Sequence, residues 1–385
     1  VKSFESASNI AGQTITGRDG IVINKKTIAL LPQTLVLSGL LKGTDASDLA
    51  AKFKTLSEVI NSYPEPLILS TGSRYIRVRK TNFSVDRIPS GGKGLNIAIS
   101  FISEDGFWQD TVPIENYLGT FSGYPKPALK SITVSGAYKT YPTIRWTADA
   151  TIQDPVVTWY GQNLVKNSSF KSGLTTNWTL ASLARVEKYG DTWVARVASG
   201  NTFKQSNIPC NASTGYYFSA YAARTAAATA RLTIEWYNSS DVLLSTDTIT
   251  YAATTILTRF SEAKTSPATA VYFNLTLDTT GAIYAYITDV QAEESASLSE
   301  FMPSQDVTFS ITGNTQFVVG DALEIDCERK TVRHWDSGAP QWYNKIDVSN
   351  AQFFHLIPGK NLLAFSNELN ANAQIFERHT ERYLG

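Results

Sequence analysis

The chain has 385 residues, 43% of them apolar and 11% aromatic, which is ample for buried cores but too long for one compact sandwich; two or three domains are expected. Lys and Arg number 34 and Asp and Glu 34, so no basic or acidic balance marks a nucleic-acid or anionic-membrane surface, and partners must be read by shape and local chemistry. No stretch approaches the roughly 20 apolar residues of a membrane helix, and the start Val1-Lys2-Ser3-Phe4-Glu5 has no apolar run of signal-peptide type, so neither membrane insertion nor secretion is expected.

In chain order, Ile28 to Leu41 is an apolar, β-compatible run. Between Asp45 and Ser62 the residues Leu49, Phe53, Leu56 and Ile60 recur at helical spacing, with Thr44, Asp45 or Ser47 able to cap the start and Pro64 and Pro66 to stop it. Leu67 to Leu69, Tyr75 to Arg79 and Leu95 to Phe101 read as strands. The last places Leu95, Ile97, Ile99 and Phe101 inward and Asn96, Ala98 and Ser100 outward. Gly91-Gly92-Lys93-Gly94 lacks the spacing of a phosphate loop and reads as a turn. Pro113, Pro125, Pro127 and two glycines mark 112–127 as a linker or arm.

Short strands follow at Ser131 to Val134 and Thr143 to Trp146. Strand patterns stop near Tyr160 and resume near Asp306, with Val307 to Ile311, Leu323 to Asp326, Thr331 to Arg333, Phe353-Phe354 and Asn361 to Phe365. Many short strands joined by tight turns argue an antiparallel sandwich. Residues 163–304 read as a further β-sandwich set inside it. Cys210 and Cys327 fall on either side of that division, so both are expected to be buried thiols rather than a disulfide.

The order of these segments resembles the distal tail proteins of long-tailed, siphovirus-type bacteriophages. The segment Ile99-Ser100-Phe101-Ile102-Ser103-Glu104-Asp105-Gly106-Phe107-Trp108 is similar to the aromatic close of that family's first domain, although Gly106 stands where Pro is common. Leu323-Glu324-Ile325-Asp326-Cys327 and Phe354-His355-Leu356-Ile357-Pro358-Gly359-Lys360-Asn361-Leu362-Leu363 resemble the strand and hairpin of its galectin-like domain. Pro358-Gly359 suits the centre of a type II turn. The insert, from Asn163-Leu164-Val165 to Phe301-Met302-Pro303-Ser304, is similar in order and spacing to jelly-roll carbohydrate-binding modules.

The resemblance implies a mainly β protein: 1–111, a β-sandwich-like, ring-forming (belt) domain with one α-helix; 112–127, an arm; 128–162 with 305–385, a discontinuous galectin-like antiparallel β-sandwich; and 163–304, an inserted jelly-roll β-sandwich. It implies a homohexameric ring joining the tail tube protein to tail-tip and baseplate proteins at the distal end of the virion's tail, assembled in the host cytoplasm. The insert would bind host-surface or cell-wall polysaccharide. A purely structural decoration and a secreted non-catalytic accessory protein are the alternatives.

Sugar recognition needs flat aromatic faces for pyranose C–H groups and planar polar partners for hydroxyls. In the strand Arg231 to Tyr237, Leu232, Ile234 and Trp236 share one face and Thr233, Glu235 and Tyr237 the other. The candidate binding residues are Trp178, Tyr189, Asp191, Trp193, Arg196 and Tyr237; Trp178, Tyr189 and Trp193 lead because they flank turns at strand ends, where binding loops gather. Asn177 and Glu235 are further polar partners. No enzyme, metal site or cofactor is expected. His334, His355 and His379 have no neighbour at ligand spacing, Asp289 has no dense carboxylate loop, and neither Gly-x-Ser-x-Gly nor His-Glu-x-x-His occurs.

Overall fold

The structure, a computed structural model, describes residues 13–14, 21–22, 34–62, 67–87, 93–103, 107–122, 126–181, 184–224, 229–252, 254–280, 284–311, 316–336, 339–342, 352–369 and 371–384. The Gly91-Gly92 turn, the Glu104-Asp105-Gly106 part of the aromatic segment, the first half of the Ile28 to Leu41 run and the Pro64 and Pro66 stop lie outside them. The chain forms two compact units, one made of 1–113, 136–138 and 380–385, the other of 114–135 and 139–379.

In the first unit, Thr34–Lys42, Gly94–Ser103, Arg74–Arg87, Phe107–Asp110 and Arg382–Leu384 follow one another across an antiparallel sheet, and Leu67–Ser70 also pairs with Arg74–Arg87. The helix Ala46–Ser62 matches the expected stripe. Asp45 accepts the amides of Ser47 and Asp48 at 2.9 Å each, satisfying donors that the helix start leaves open. Leu49 is buried, Leu56 and Ile60 join the core of Leu35, Ile76, Val78, Ile97, Ile99 and Phe101, and Phe53 stacks on Phe83 at 5.9 Å.

Two expectations need correction here. The last residues, expected in the C-terminal sandwich, extend the first unit's sheet instead. Tyr383 pairs with Trp108, lies under the Arg74 guanidinium at 3.6 Å and donates to Asp110 at 3.3 Å. The second correction concerns 112–127, expected as an arm: Ile114–Ser122 is an edge strand paired with Asn372–His379. Its prolines flank the strand rather than interrupt it, and Gly119, at φ +100°, takes the irregularity where the register shifts.

The second unit contains two layered pairs of sheets. One pair consists of a six-stranded sheet, in the order Ala339–Trp342, Thr331–Asp336, Ala322–Asp326, Thr143–Ala148, Asn372–His379, Ile114–Ser122, and a four-stranded sheet, in the order Val307–Ser310, Val156–Gly161, Gly359–Ser366, Ala128–Val134. Between them Trp146 meets Phe365 edge-on at 5.6 Å within a core that includes Trp159, Phe309, Leu363 and Ile375. The Pro358-Gly359 turn is as expected, with Gly359 at φ +89°. Asn361 explains the residue two positions on: fully buried, it accepts from Ile357 N and Trp159 Nε1 and donates to the carbonyls of Ile357 and Gly359, so one side chain closes the turn and ties it to the core. Phe353-Phe354 is not a strand; Phe354 is buried in the core and the neighbouring Leu356 forms only an isolated bridge to Thr140.

The other pair lies between residues 163 and 304. Its front sheet has the order Thr179–Leu180, Phe203–Pro209, Tyr272–Thr280, Thr229–Tyr237, Leu243–Ala252, and its rear sheet Arg185–Tyr189, Thr192–Val197, Ala285–Glu294, Gly215–Arg224, Thr258–Thr265. Leu232, Ile234, Trp236, Phe273, Leu275 and Leu277 of the front meet Tyr216, Phe218, Ala220 and Ile287 of the rear in a dry core. Asn163, fully buried, stitches entry to exit: its Nδ2 donates to Val290 O and Met302 O at 3.0 Å each, and its Oδ1 accepts from Val165 N and Ala292 N at 3.0 and 3.1 Å. The inserted core does not stop at its own boundary. It continues onto Leu129, Tyr160, Leu362 and Ala364 of the four-stranded sheet, which thus buries Leu363 and Phe365 on one face and Leu362 and Ala364 on the other. Cys210 and Cys327 are both free and buried, and burial pushes the Cys327 thiol up to about 12.

Candidate carbohydrate-binding face

The front sheet turns its outward face to solvent, and the alternation expected for Arg231 to Tyr237 holds: Leu232, Ile234 and Trp236 are fully buried, while Arg231, Thr233, Glu235 and Tyr237 face out. Register with Tyr272–Thr280 places Tyr272 beside Tyr237, Asn274 beside Glu235, Thr276 beside Thr233 and Asp278 beside Arg231. On the other flank Thr246, Thr248 and Thr250 line up with Glu235, Thr233 and Arg231.

The aromatic end of this stripe is the Tyr237–Tyr272 pair, nearly parallel with ring centres 5.0 Å apart. Tyr272 is the more buried ring, and its hydroxyl donates to Asp241 at 2.7 Å; burial and that carboxylate raise its pKa. The Lys126 ammonium lies 4.3 Å from the Tyr272 ring centre and 2.8 Å from Asp241, which closes this end of the stripe. Beyond the rings, Glu235 accepts from Lys204 at 2.9 Å and from the Tyr237 hydroxyl at 3.3 Å. The Lys204 hydrogen bond, with Asn274 and Tyr237 adding to it, holds the Glu235 carboxyl below the usual carboxylate range despite partial burial. At the far end Arg231 grips Asp278 with two parallel bonds, from Nε and, at 2.8 Å, from Nη2, which raises the guanidinium pKa further. Six residues of strand separate Tyr237 from Arg231, about 20 Å. The face therefore offers an aromatic platform followed by planar amide, carboxylate and guanidinium groups, each already oriented by a neighbour.

The six residues named from the sequence do not form one site. Tyr237 alone lies on this stripe. Trp178 is a correction: it is 6% exposed, packed against Phe170 and Phe203, with its indole N–H donating to Asn167 O at 3.3 Å, so it is core and not a platform. This Trp beside a turn is buried because the fully buried ring of Phe170, a residue in the left-handed conformation (φ +49°) just before the short 3-10 turn Lys171–Gly173, packs on it with ring centres 5.4 Å apart. Trp193 is half-buried against the core, and the backbone of Gly173 (φ +74°) covers it so closely that an added Cβ would fall 2.9 Å from the ring.

Tyr189 and Arg196 lie together, on the outward side of the rear sheet. Tyr189 packs on Tyr286 at 4.7 Å and donates its hydroxyl to Thr255 O, while Arg196 covers the Tyr284 ring at 3.3 Å and approaches Glu187 at 3.6 Å. Asp191 is exposed at the adjoining hairpin turn, and Asn177 is exposed and donates to Asp306 at 3.5 Å. Arg231, Lys204, Tyr272, Asn274 and Asp278 were not foreseen. The first extends the alternation already read from Tyr237; the others need the cross-strand register, which no local pattern supplies.

Residues 281–383 match the family model described as siphovirus-type tail component, C-terminal domain. Both segments that carried the expectation, Leu323 to Cys327 and Phe354 to Leu363, lie inside the matched region. Among solved structures the chain is similar to the SPP1 Dit protein, described as a paradigm of the hub adsorption apparatus in phages infecting Gram-positive bacteria, at 10% identity and TM-score 0.46, covering 100% of this chain and 90% of that one. It is also similar to a family 16 carbohydrate-binding module (16% identity, TM-score 0.30, 34% of this chain and 100% of that one). A third likeness is to the CBM22-1 xylan-binding domain of Paenibacillus barcinonensis Xyn10C (16% identity, TM-score 0.29, 36% and 98%). No curated protein matches the chain.

Proposed function

We propose that the chain is a phage tail component of the distal tail protein type, that it assembles as a homohexameric ring at the distal end of the tail, between the tail tube protein and the tail-tip or baseplate proteins, and that its inserted sandwich binds a host-surface polysaccharide without catalysis. The observation that carries the second half is the outward stripe from Tyr237 and Tyr272 through Glu235, Lys204 and Asn274 to Arg231 and Asp278. Its hydrogen-bonding groups run along one strand pair, as a linear oligosaccharide requires, and the Lys126–Asp241 contact bounds it at one end.

A ring of six chains would present six such faces, so weak single sites would sum to firm retention on a polysaccharide. The test is titration of the full chain with neutral linear oligosaccharides, beside Tyr237→Ala, together with its mass in solution. Binding at about millimolar to micromolar dissociation constants, lost in the variant, is the expected result; no binding to any neutral glycan or to host cell walls would leave a bracing role for the insert. A chain that stays single at every concentration would remove the ring.

A further inference from the structure

The six-stranded sheet carries a second outward face, unrelated to the insert. Pairing across its strands sets Tyr117, Phe376, Arg145, Glu324 and Arg333 in one row, and Glu115, Arg378, Thr143 and Asp326 in the next. A cleft of about 440 Å³ on this face is lined by Glu115, Thr143, Arg145, Glu324, Phe376 and Arg378, among others, and Tyr117 stands beside it against Phe376. Two features set it apart from an ordinary solvated sheet.

The first is an exposed aromatic pair. Tyr117 is 57% and Phe376 38% exposed, with ring centres 5.1 Å apart, so two aromatic faces lie open at one side of a polar cleft. Beneath them, buried Glu377 accepts from Asn116 Nδ2 at 2.8 Å and lies 2.9 Å from His379 Nδ1, which fixes the strand that carries Phe376. The second feature is charge left over. Glu115 pairs with Arg378 at 3.9 Å, Glu324 with Arg333 at 3.6 Å and Asp326 with Arg329 at 3.8 Å. Arg145, between Phe376 and Glu324 in its row, makes no ion pair or hydrogen bond among the described residues and has only the Trp335 ring 5.8 Å from its guanidinium.

We propose that this cleft binds an acidic sugar: a pyranose stacked on Tyr117 and Phe376, with its carboxylate or phosphate held by the fork of Arg145. A guanidinium matches either oxyanion with two parallel donors, and the flanking ion pairs leave Gln374 and Thr143 to take hydroxyls. The ligand class differs from that of the insert because the front stripe's cations, Arg231 and Lys204, are already neutralised by Asp278 and Glu235.

The experiment is calorimetric titration of the full chain with tetragalacturonate, a carboxylate probe, and with mannose 6-phosphate, a phosphate probe, at low and high salt. One or both should bind, more weakly at high salt, and the one that binds identifies the oxyanion. Arg145→Gln and Phe376→Ser, both at exposed positions, should each weaken binding about tenfold or more with the melting temperature unchanged, while Tyr237→Ala should leave it intact. Failure of both probes to bind, undiminished binding in either cleft variant, or loss in Tyr237→Ala overturns the assignment.

Discussion

The two outward faces of the inserted sandwich are built alike and finished differently. On the front sheet the half-buried Arg231, Thr233, Glu235 and Tyr237 pair with Asp278, Thr276, Asn274 and Tyr272 of the neighbouring strand, and no later segment of the insert donates to them among the described residues. On the rear sheet the chain leaving the last strand folds back over the face. Ser299 donates its amide and hydroxyl to the buried Glu293 carboxylate, Gln291 donates to Ser299 at 3.0 Å, and Arg259 donates to Ser299 O at 2.7 Å. One face is satisfied by its own returning chain; the other is satisfied strand to strand, with Arg231, Thr233, Glu235 and Tyr237 still partly accessible. Ligand recognition belongs to the second kind, because groups already oriented lose little freedom on binding.

The comparison can be broken first at the core both faces share. Trp178→Ala should cost about 3–5 kcal/mol by the loss of a buried indole and the cavity left beside Phe170 and Phe203, measured by denaturant unfolding of the full chain. A small loss of stability with a large loss of glycan binding would instead make Trp178 a platform. On the rear face, Ser299→Ala strips a hydrogen bond from the buried Glu293 and should cost about 1–3 kcal/mol without touching glycan affinity. If affinity changes, the two faces are coupled.

On the front face the order of effects reverses. Tyr237→Ala removes a stacked partner whose stability value is about 0.5–1.5 kcal/mol, but it should abolish measurable binding of neutral oligosaccharides, read by calorimetry. Equal affinity in this variant would move the ligand off the front sheet.

How far these faces were legible in the sequence depended on range. The helix stripe of Leu49, Leu56 and Ile60, the turn at Pro358-Gly359 and the two sides of Arg231 to Tyr237 are local periodicities, and all three hold. The fate of a single aromatic beside a turn is not local. Trp178 and Trp193 look equally suited to a binding loop, yet the ring of Phe170 packs on the first and the backbone of Gly173 covers the second, and nothing within their neighbouring residues encodes that. Tyr383 likewise reads as a chain end until its pairing with Trp108, 275 positions earlier, is seen. Burial of a face by distant chain decides between core, scaffold and site, and it is carried by register rather than by composition.

The mildest test turns on acid. Lys204 holds the Glu235 carboxyl below the usual carboxylate range, so the folded protein keeps this charge to lower pH than the unfolded chain does. The stabilisation is therefore complete above the ordinary carboxylate range and disappears as pH falls through the depressed pKa. Both partners are partly exposed, which limits the effect to less than about 1 kcal/mol. Unfolding of Glu235→Gln compared with the unchanged protein between about pH 6 and pH 3 should show a stability difference that shrinks towards acid. The buried Asn274 and the Tyr237 hydroxyl remain to organise the stripe once Glu235 is protonated, so glycan affinity should weaken gradually over the same interval. A difference that grows towards acid would mean that Lys204 is not the partner that orients Glu235, and the front face would lose the arrangement on which its recognition of sugars rests.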